Sequence, residues 1–116
     1  MHEISLVQGI FNALEDAFSK EDLANMTDIY LQVGMLSNVE PTLMQNAFEA
    51  VTLAEEKYQE VKLHVEVIPV EVYCSDCDIN STIKNYKFVC AQCEQPNNNV
   101  VKGTELSVHQ VHFEED

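Results

Sequence analysis

Arginine is absent from this chain, and its six basic residues, all lysine, face twenty aspartates and glutamates, a formal charge of -14 over 116 residues. A phosphate backbone would be repelled by the average field of such a molecule, which argues against nucleic acid as a partner. Long apolar runs are missing as well. No stretch approaches the ~18 residues of a membrane span, and the chain does not open with a basic segment, an apolar run and a small-residue cleavage site. The expectation is therefore a cytoplasmic protein with no membrane partner. Nor is there a phosphate-binding loop, a nucleophile motif or a closed set of acid and base. Catalysis is not expected.

What is present is enough apolar side chain, 46% of residues, for one modest core and a small satellite that needs outside help to fold. From Glu3 to Phe18, Ile4, Val7, Phe11, Leu14 and Phe18 recur at steps of three and four, the pattern of an amphipathic helix, with Leu6 and Ile10 widening the stripe. After the polar stretch "SKEDLANMTD", the run "IYLQVGM" alternates Ile29, Leu31, Val33 and Met35 against polar or small neighbours, as a half-buried strand does. Pro41 sits where a first helical turn tolerates it, and Met44, Ala47, Phe48 and Val51 give a second helix its buried face. Leu63, Val65 and Val67 form a further strand until Pro69, which demotes the residues after it to an edge or a crossing linker. The closing strand "TELSVHQVHFEE" slips in phase between Val108 and Val111, which a β-bulge near His109 and Gln110 would reconcile. The fold class expected is α+β: two helices on a small three-stranded mixed sheet. Into it is inserted a zinc-ribbon-like element, dividing the chain into 1–71 plus 104–116 and the insert 72–103.

That insert carries the clearest chemistry. Cys74 and Cys77 form one CxxC pair and Cys90 and Cys93 another, with twelve residues between. In a reducing compartment this spacing points to metal, two tight turns each presenting two thiolates to a tetrahedral ion. Soft thiolates suit zinc, and so short an insert has too few apolar side chains to fold without a crosslink. A disulfide pair, a redox CxxC and an iron centre are the alternatives. Four thiolates leave no position for a reactive water, so the zinc reading is structural rather than catalytic. Asp78 and Glu94 follow the two pairs, where glycine often eases the turn.

The first residues, Met1, His2 and Glu3, admit two readings. One is a frayed polar terminus. In the other, retention of Met1 before a large residue leaves a free amine beside His2. That amine, the His2 amide and imidazole, and the Glu3 amide then form a planar nitrogen set that selects nickel(II) or copper(II) over zinc. The remaining histidines are read chiefly as surface residues. His64 lies out of phase with Leu63 and Val65 and faces the open side of the sheet, while His109 and His112 share a face if the bulge is real. Glu40, opening the second helix, suits the helix dipole whatever the function, and the terminal "EED" reads as a solvated acidic tail.

Taken together, "MHE", the "VEP" of Val39 to Pro41, "VEVIPVEVYC", the paired CxxC motifs and the closing "GTELSVHQVHFEE" resemble the HypA/HybF family of hydrogenase nickel-incorporation proteins over nearly the whole chain. The resemblance implies a nickel metallochaperone that works with the GTPase HypB to supply the large subunit of [NiFe]-hydrogenase. By that resemblance nickel(II) is cargo held at His2 with Met1 and Glu3, and zinc(II) is the structural ion of Cys74, Cys77, Cys90 and Cys93. His109 and His112 stand where the family more often carries Ile and Glu, and are candidates for accessory nickel ligands. Some members exchange segments between protomers, so a homodimer is compatible with an insert on two linkers. The competing reading is a zinc-stapled interaction adaptor with an inert terminus.

Overall fold

Hydrophobic phase decides most of the elements. The computed structural model describes residues 2–114, His2 by its backbone alone. Helix α1 spans His2–Ala17 with acidic Glu3 in its first turn, and buries Val7, Phe11 and Leu14 on one face. The polar stretch after it is not merely a connection. It holds a short helix, α2 (Lys20–Ala24), because Ser19 Oγ accepts the Asp22 amide at 3.1 Å and Leu23 is buried.

Strand β1 (Met26–Gly34) begins three residues ahead of Ile29. Its pairing jumps from Met26 opposite Phe113 to Asp28 opposite His112, leaving Thr27 as an extra residue. That bulge lets Met26 and Ile29, out of phase for a regular strand, both reach the core. Helix α3 (Pro41–Glu55) starts under Glu40, whose carboxylate accepts the Thr42 and Leu43 amides at 3.1 and 3.0 Å. It ends at Glu56, which turns left-handed at φ 54°.

Strand β2 (Lys62–Ile68) pairs parallel with β1 on one side, and β6 (Leu106–Phe113) pairs antiparallel on the other, giving the expected mixed three-stranded sheet in the order β2-β1-β6. The expected bulge in β6 is there: Gln110 faces Tyr30 and Val108 faces Leu31, with His109 left over between them. The helices pack on the face bearing Ile29, Leu31 and Leu63, where Phe11 lies 5.6 Å from Phe48 and 4.7 Å from Tyr58 between ring centroids. At the end of α1, Phe18 meets Phe113 at 5.1 Å, and Phe113 pairs with Met26. The helix therefore ends over the start of β1, and its first turn lies toward the end where β1 finishes.

Pro69 does end β2, but the residues after it form neither an edge nor a mere linker. Strand β3 (Glu71–Cys74) is the centre of a second, antiparallel sheet between β4 (Ile79–Thr82) and β5 (Val100–Lys102). Proline is tolerated because it falls in the crossing itself, where no ladder bond is needed. The hydrophobic cluster of this second unit is small, Val70, Val72 and Ile83 with Phe88 and Val100 packed against them.

Backbone hydrogen bonds draw three segments of the chain together where β1 ends. Gly34 N donates to Glu105 O at 2.8 Å, Met35 N to Ile68 O at 3.0 Å and Leu36 N to Gly103 O at 2.9 Å. A Cβ on Gly34 would meet Gly103 O at 2.1 Å, and one on Gly103, at φ 100°, would meet Val70 Cα at 2.7 Å. Both glycines are needed because three chain segments cross there at backbone contact.

Candidate metal centre

The second sheet brings its four cysteines together from two turns. Cys74 ends β3 and Cys77 lies in the turn into β4; Cys90 and Cys93 sit on the turn before β5. The second turn closes through Glu94 N to Cys90 O at 2.9 Å, and is anchored by Cys90 N to Gln95 O at 3.0 Å and Ala91 N to the buried Ser81 Oγ at 3.0 Å. Each pair is followed by a residue in the left-handed region, Asp78 at φ 54° and Glu94 at φ 59°. These are the positions where glycine was missed in the sequence. Asp78 is held there by Tyr73, whose hydroxyl donates to its Oδ1 at 2.7 Å. The Tyr73 carbonyl in turn accepts the Asn97 side-chain amide at 2.8 Å, tying the cysteine turns to the asparagine-rich return.

The four Sγ atoms all lie within 4.8 Å of one another, with Cys74 and Cys93 3.9 Å apart. A disulfide needs about 2.05 Å, and all four thiols are free. Tetrahedral zinc with Zn–S bonds of about 2.3 Å sets its sulfurs about 3.8 Å apart, so the donors fit that ion in number, softness and spacing. Electrostatics favour a first anion at Cys90: the backbone N–H groups of Cys93 and Gln92, the latter 3.4 Å from the sulfur, lower its pKa to about 6. Burial, then the neighbouring thiols, push Cys77 up to about 12. A divalent cation competes with protons for the thiolates.

The other candidate residues lie elsewhere. Met1 and the His2 side chain fall outside the described residues, as do Glu115 and Asp116. Glu3 is half-buried in the first turn of α1. His112 pairs with Asp28 beside Phe113, at the end of the sheet where α1 finishes. The whole of α1, sixteen residues and about 24 Å at 1.5 Å each, runs from that end to its first turn. His109 is the extra residue of the β6 bulge, in the middle of that strand. His64 stands on the open face, as its phase demands, but with partners the sequence had not suggested. Its Nε2 lies 2.8 Å from Asp28 Oδ1, and its ring stacks on Tyr30 at 4.4 Å, with His112 tilted against Tyr30 at 4.8 Å. The His64 contact is the main cause holding the Asp28 carboxyl below its ordinary range. Among the described residues, the four cysteines are the one grouping of three or more potential ligands that converges, and no helix is long and apolar enough to cross a membrane.

Comparison with known proteins agrees with this geometry. A family model described as hydrogenase/urease nickel incorporation, metallochaperone, HypA matches residues 1–113. The hydrogenase maturation factor HypA of Albidiferax ferrireducens is 33% identical over 98% of this chain and 100% of its own length. HybF of Klebsiella pneumoniae is 28% identical over 93% of this chain and 95% of its own. The solution structure of the Ni metallochaperone HypA from Helicobacter pylori superposes with a TM-score of 0.64, covering 96% of each chain at 23% identity, and so shares the fold. A chain matched from its first residue to the last strand, with four cysteines gathered at one point, belongs to the HypA family of nickel-incorporation metallochaperones that serve hydrogenase maturation.

Proposed function

We propose that this chain carries nickel(II) at its amino terminus and zinc(II) at its cysteines, the first as cargo and the second as scaffold. Cys74, Cys77, Cys90 and Cys93 hold zinc in a closed four-thiolate shell that leaves no open position for chemistry. The Met1 amine, the His2 amide and imidazole, and Glu3 hold nickel. One observation carries the nickel reading: α1 begins at His2. The first amides of a helix have no intrahelical acceptor, so binding through them breaks no helical hydrogen bond, and the positive end of the dipole favours a deprotonated amide. Planar nitrogen ligation selects nickel or copper over zinc, which separates the two metals by ligand type.

In this reading the protein is not an enzyme. It passes nickel in the cytoplasm toward the large subunit of [NiFe]-hydrogenase, and GTP hydrolysis is supplied by HypB. The residue sets 1–71 plus 104–116 and 72–103 act as a nickel part and a zinc part.

Titration of the zinc-loaded chain with Ni(II), beside His2→Ala and a form acetylated at the Met1 amine, tests it. Both changes should weaken nickel binding at least tenfold and remove the visible band of square-planar nickel, with zinc content unchanged. Equal affinity in all three forms would move the nickel site elsewhere and leave the chain a zinc-stapled adaptor.

A further inference from the structure

The formal charge of -14 is unevenly divided. Residues 72–103 carry three acids, Asp76, Asp78 and Glu94, and three lysines, Lys84, Lys87 and Lys102, so the whole excess falls on the rest of the chain. Lys102 is held by Glu71 at 3.7 Å. Lys84 and Lys87 stand on one tight turn, and among the described residues neither has a carboxylate within 4.0 Å. The turn, Lys84-Asn85-Tyr86-Lys87, closes through Lys87 N to Lys84 O at 3.0 Å, and both central residues are left-handed, Asn85 at φ 54° and Tyr86 at φ 58°. Asn followed by Gly suits that mirror-image hairpin turn best. Asn85 fits it; Tyr86 stands where glycine is expected.

Tyr58 is left-handed as well, at φ 60°, but its ring stacks on Phe11 at 4.7 Å and its hydroxyl donates to Glu15 at 2.9 Å. Tyr86 is 67% exposed, and among the described residues no ring contact or hydroxyl hydrogen bond offsets its strain. Lys84 and Lys87 are partners across the bridge that the turn closes, so two like charges face each other where they repel. Lysines beside an edge deter strand pairing, but that role leaves Tyr86 without a reason. Two local penalties thus meet in four residues, and the fold offsets neither; strain left in this way points to a function for the turn. We propose that the turn 84–87 docks an acidic segment of a partner protein, with carboxylates on Lys84 and Lys87 and an apolar side chain against the Tyr86 ring.

Carboxylates from outside would place an attractive charge between two lysines that otherwise repel, and covering the ring would bury an aromatic anchor of the kind that concentrates binding energy. The acidic remainder of the chain repels anions, which steers such a partner to the cysteine-bearing unit. The same field opposes a long phosphate backbone, whose contacts extend beyond four residues, whereas a short run of carboxylates reaches the turn alone. Ile83, just before the turn, donates its N–H to Val70 O at 2.8 Å. The turn therefore lies at the crossing end of the second sheet, while Cys74 ends β3 at the other end, and no metal ligand takes part in the contact. The docking is independent of the nickel reading.

Amide NMR of the zinc-loaded full chain, titrated at low ionic strength with the acetylated peptide Glu-Asp-Leu-Glu-Asp-Glu, tests the contact. Saturable shifts centred on residues 84–87 are expected at millimolar peptide, and added salt should weaken the binding. Lys87→Glu, which also relieves the facing charges, should weaken it about tenfold. Lys20→Glu, the same charge change on the acidic part of the chain, should leave it unaltered. Tyr86→Gly should weaken binding about threefold and yet raise the urea midpoint of the chain, because glycine fits the turn without strain. Circular dichroism checks that each variant is folded. Absence of shifts at the turn, equal affinity after Lys87→Glu, or a lower urea midpoint for Tyr86→Gly would each overturn the proposal. So would tighter binding of a uridine hexanucleotide at the same amides, as expected of an RNA contact.

Discussion

At the scale of single residues, the cysteine turns are held by backbone that glycine would occupy at less cost. Left-handed conformation costs a residue with a Cβ about 1 kcal/mol or more, and both Asp78 and Glu94 adopt it. Asp78 recovers part of that through the Tyr73 hydroxyl at 2.7 Å. At Glu94 the turn is closed by its own N–H to Cys90 O at 2.9 Å, a bond glycine would keep, and the side chain is exposed. Glu94→Gly should therefore stabilise the zinc-loaded chain by about 0.5–1 kcal/mol in denaturant unfolding, reduced somewhat by the greater freedom of glycine in the unfolded chain. Asp78→Gly should gain less. A loss on Glu94→Gly would show that its carboxylate supports the turn in a way its exposure does not suggest.

At the scale of elements, the two sheets differ in what holds them. The helix-bearing sheet closes over thirteen buried hydrophobic residues, and the cysteine-bearing one over three. Cys74→Ala should abolish stoichiometric zinc and expose 72–103 to protease, because metal binding supplies the folding energy there. The helices and β1, β2 and β6 should keep most of their hydrogen-exchange protection; simultaneous loss of both sheets would mean that the junction makes them one cooperative unit. The same contrast governs what could be read in advance. Helices α1 and α3 were legible because their apolar spacing is undisturbed, and the β6 bulge because Val108 and Val111 break phase within an otherwise regular strand. The start of β1 was hidden by its own bulge: Met26 is out of phase with Ile29, so the residues before Ile29 looked like loop and Asp28 was not seen as the partner of His64. Helix α2 is too short for a period to show, and its signal was the cap at Ser19. Pro69 signalled a break correctly but concealed that the chain enters a new sheet. The cysteines were legible from spacing alone, and the missing glycines marked the left-handed turns. The N–H groups aimed at Cys90 belong to the folded turn and have no counterpart in composition.

At the scale of the whole molecule, 52 × 31 × 19 Å in extent, the pairing of β1 with β6 spans the longest stretch of chain, with the cysteine-bearing sheet threaded between them. Strands far apart in sequence meet slowly, since the entropy of closing the loop is lost before any contact repays it. At the glycine crossing, the two ends of the threaded segment come within backbone contact, Gly103 against Val70. Once that segment is folded, β6 searches for β1 from a short tether instead of from the end of a loose chain of more than thirty residues. Shortening the loop in this way lowers the closure cost enough to speed docking by roughly tenfold. Stopped-flow refolding with and without zinc, followed by the Tyr30 environment against a Tyr30→Phe control, should show that acceleration, and equal rates would mean that β6 docks before the cysteines gather. With zinc at the cysteines as proposed, the crossing would give assembly an order in time: metal uptake would set when the last strand arrives, and a chain that has not found zinc would leave the β6 side of β1 open for longer, the interval in which it is most exposed to aggregation and proteolysis.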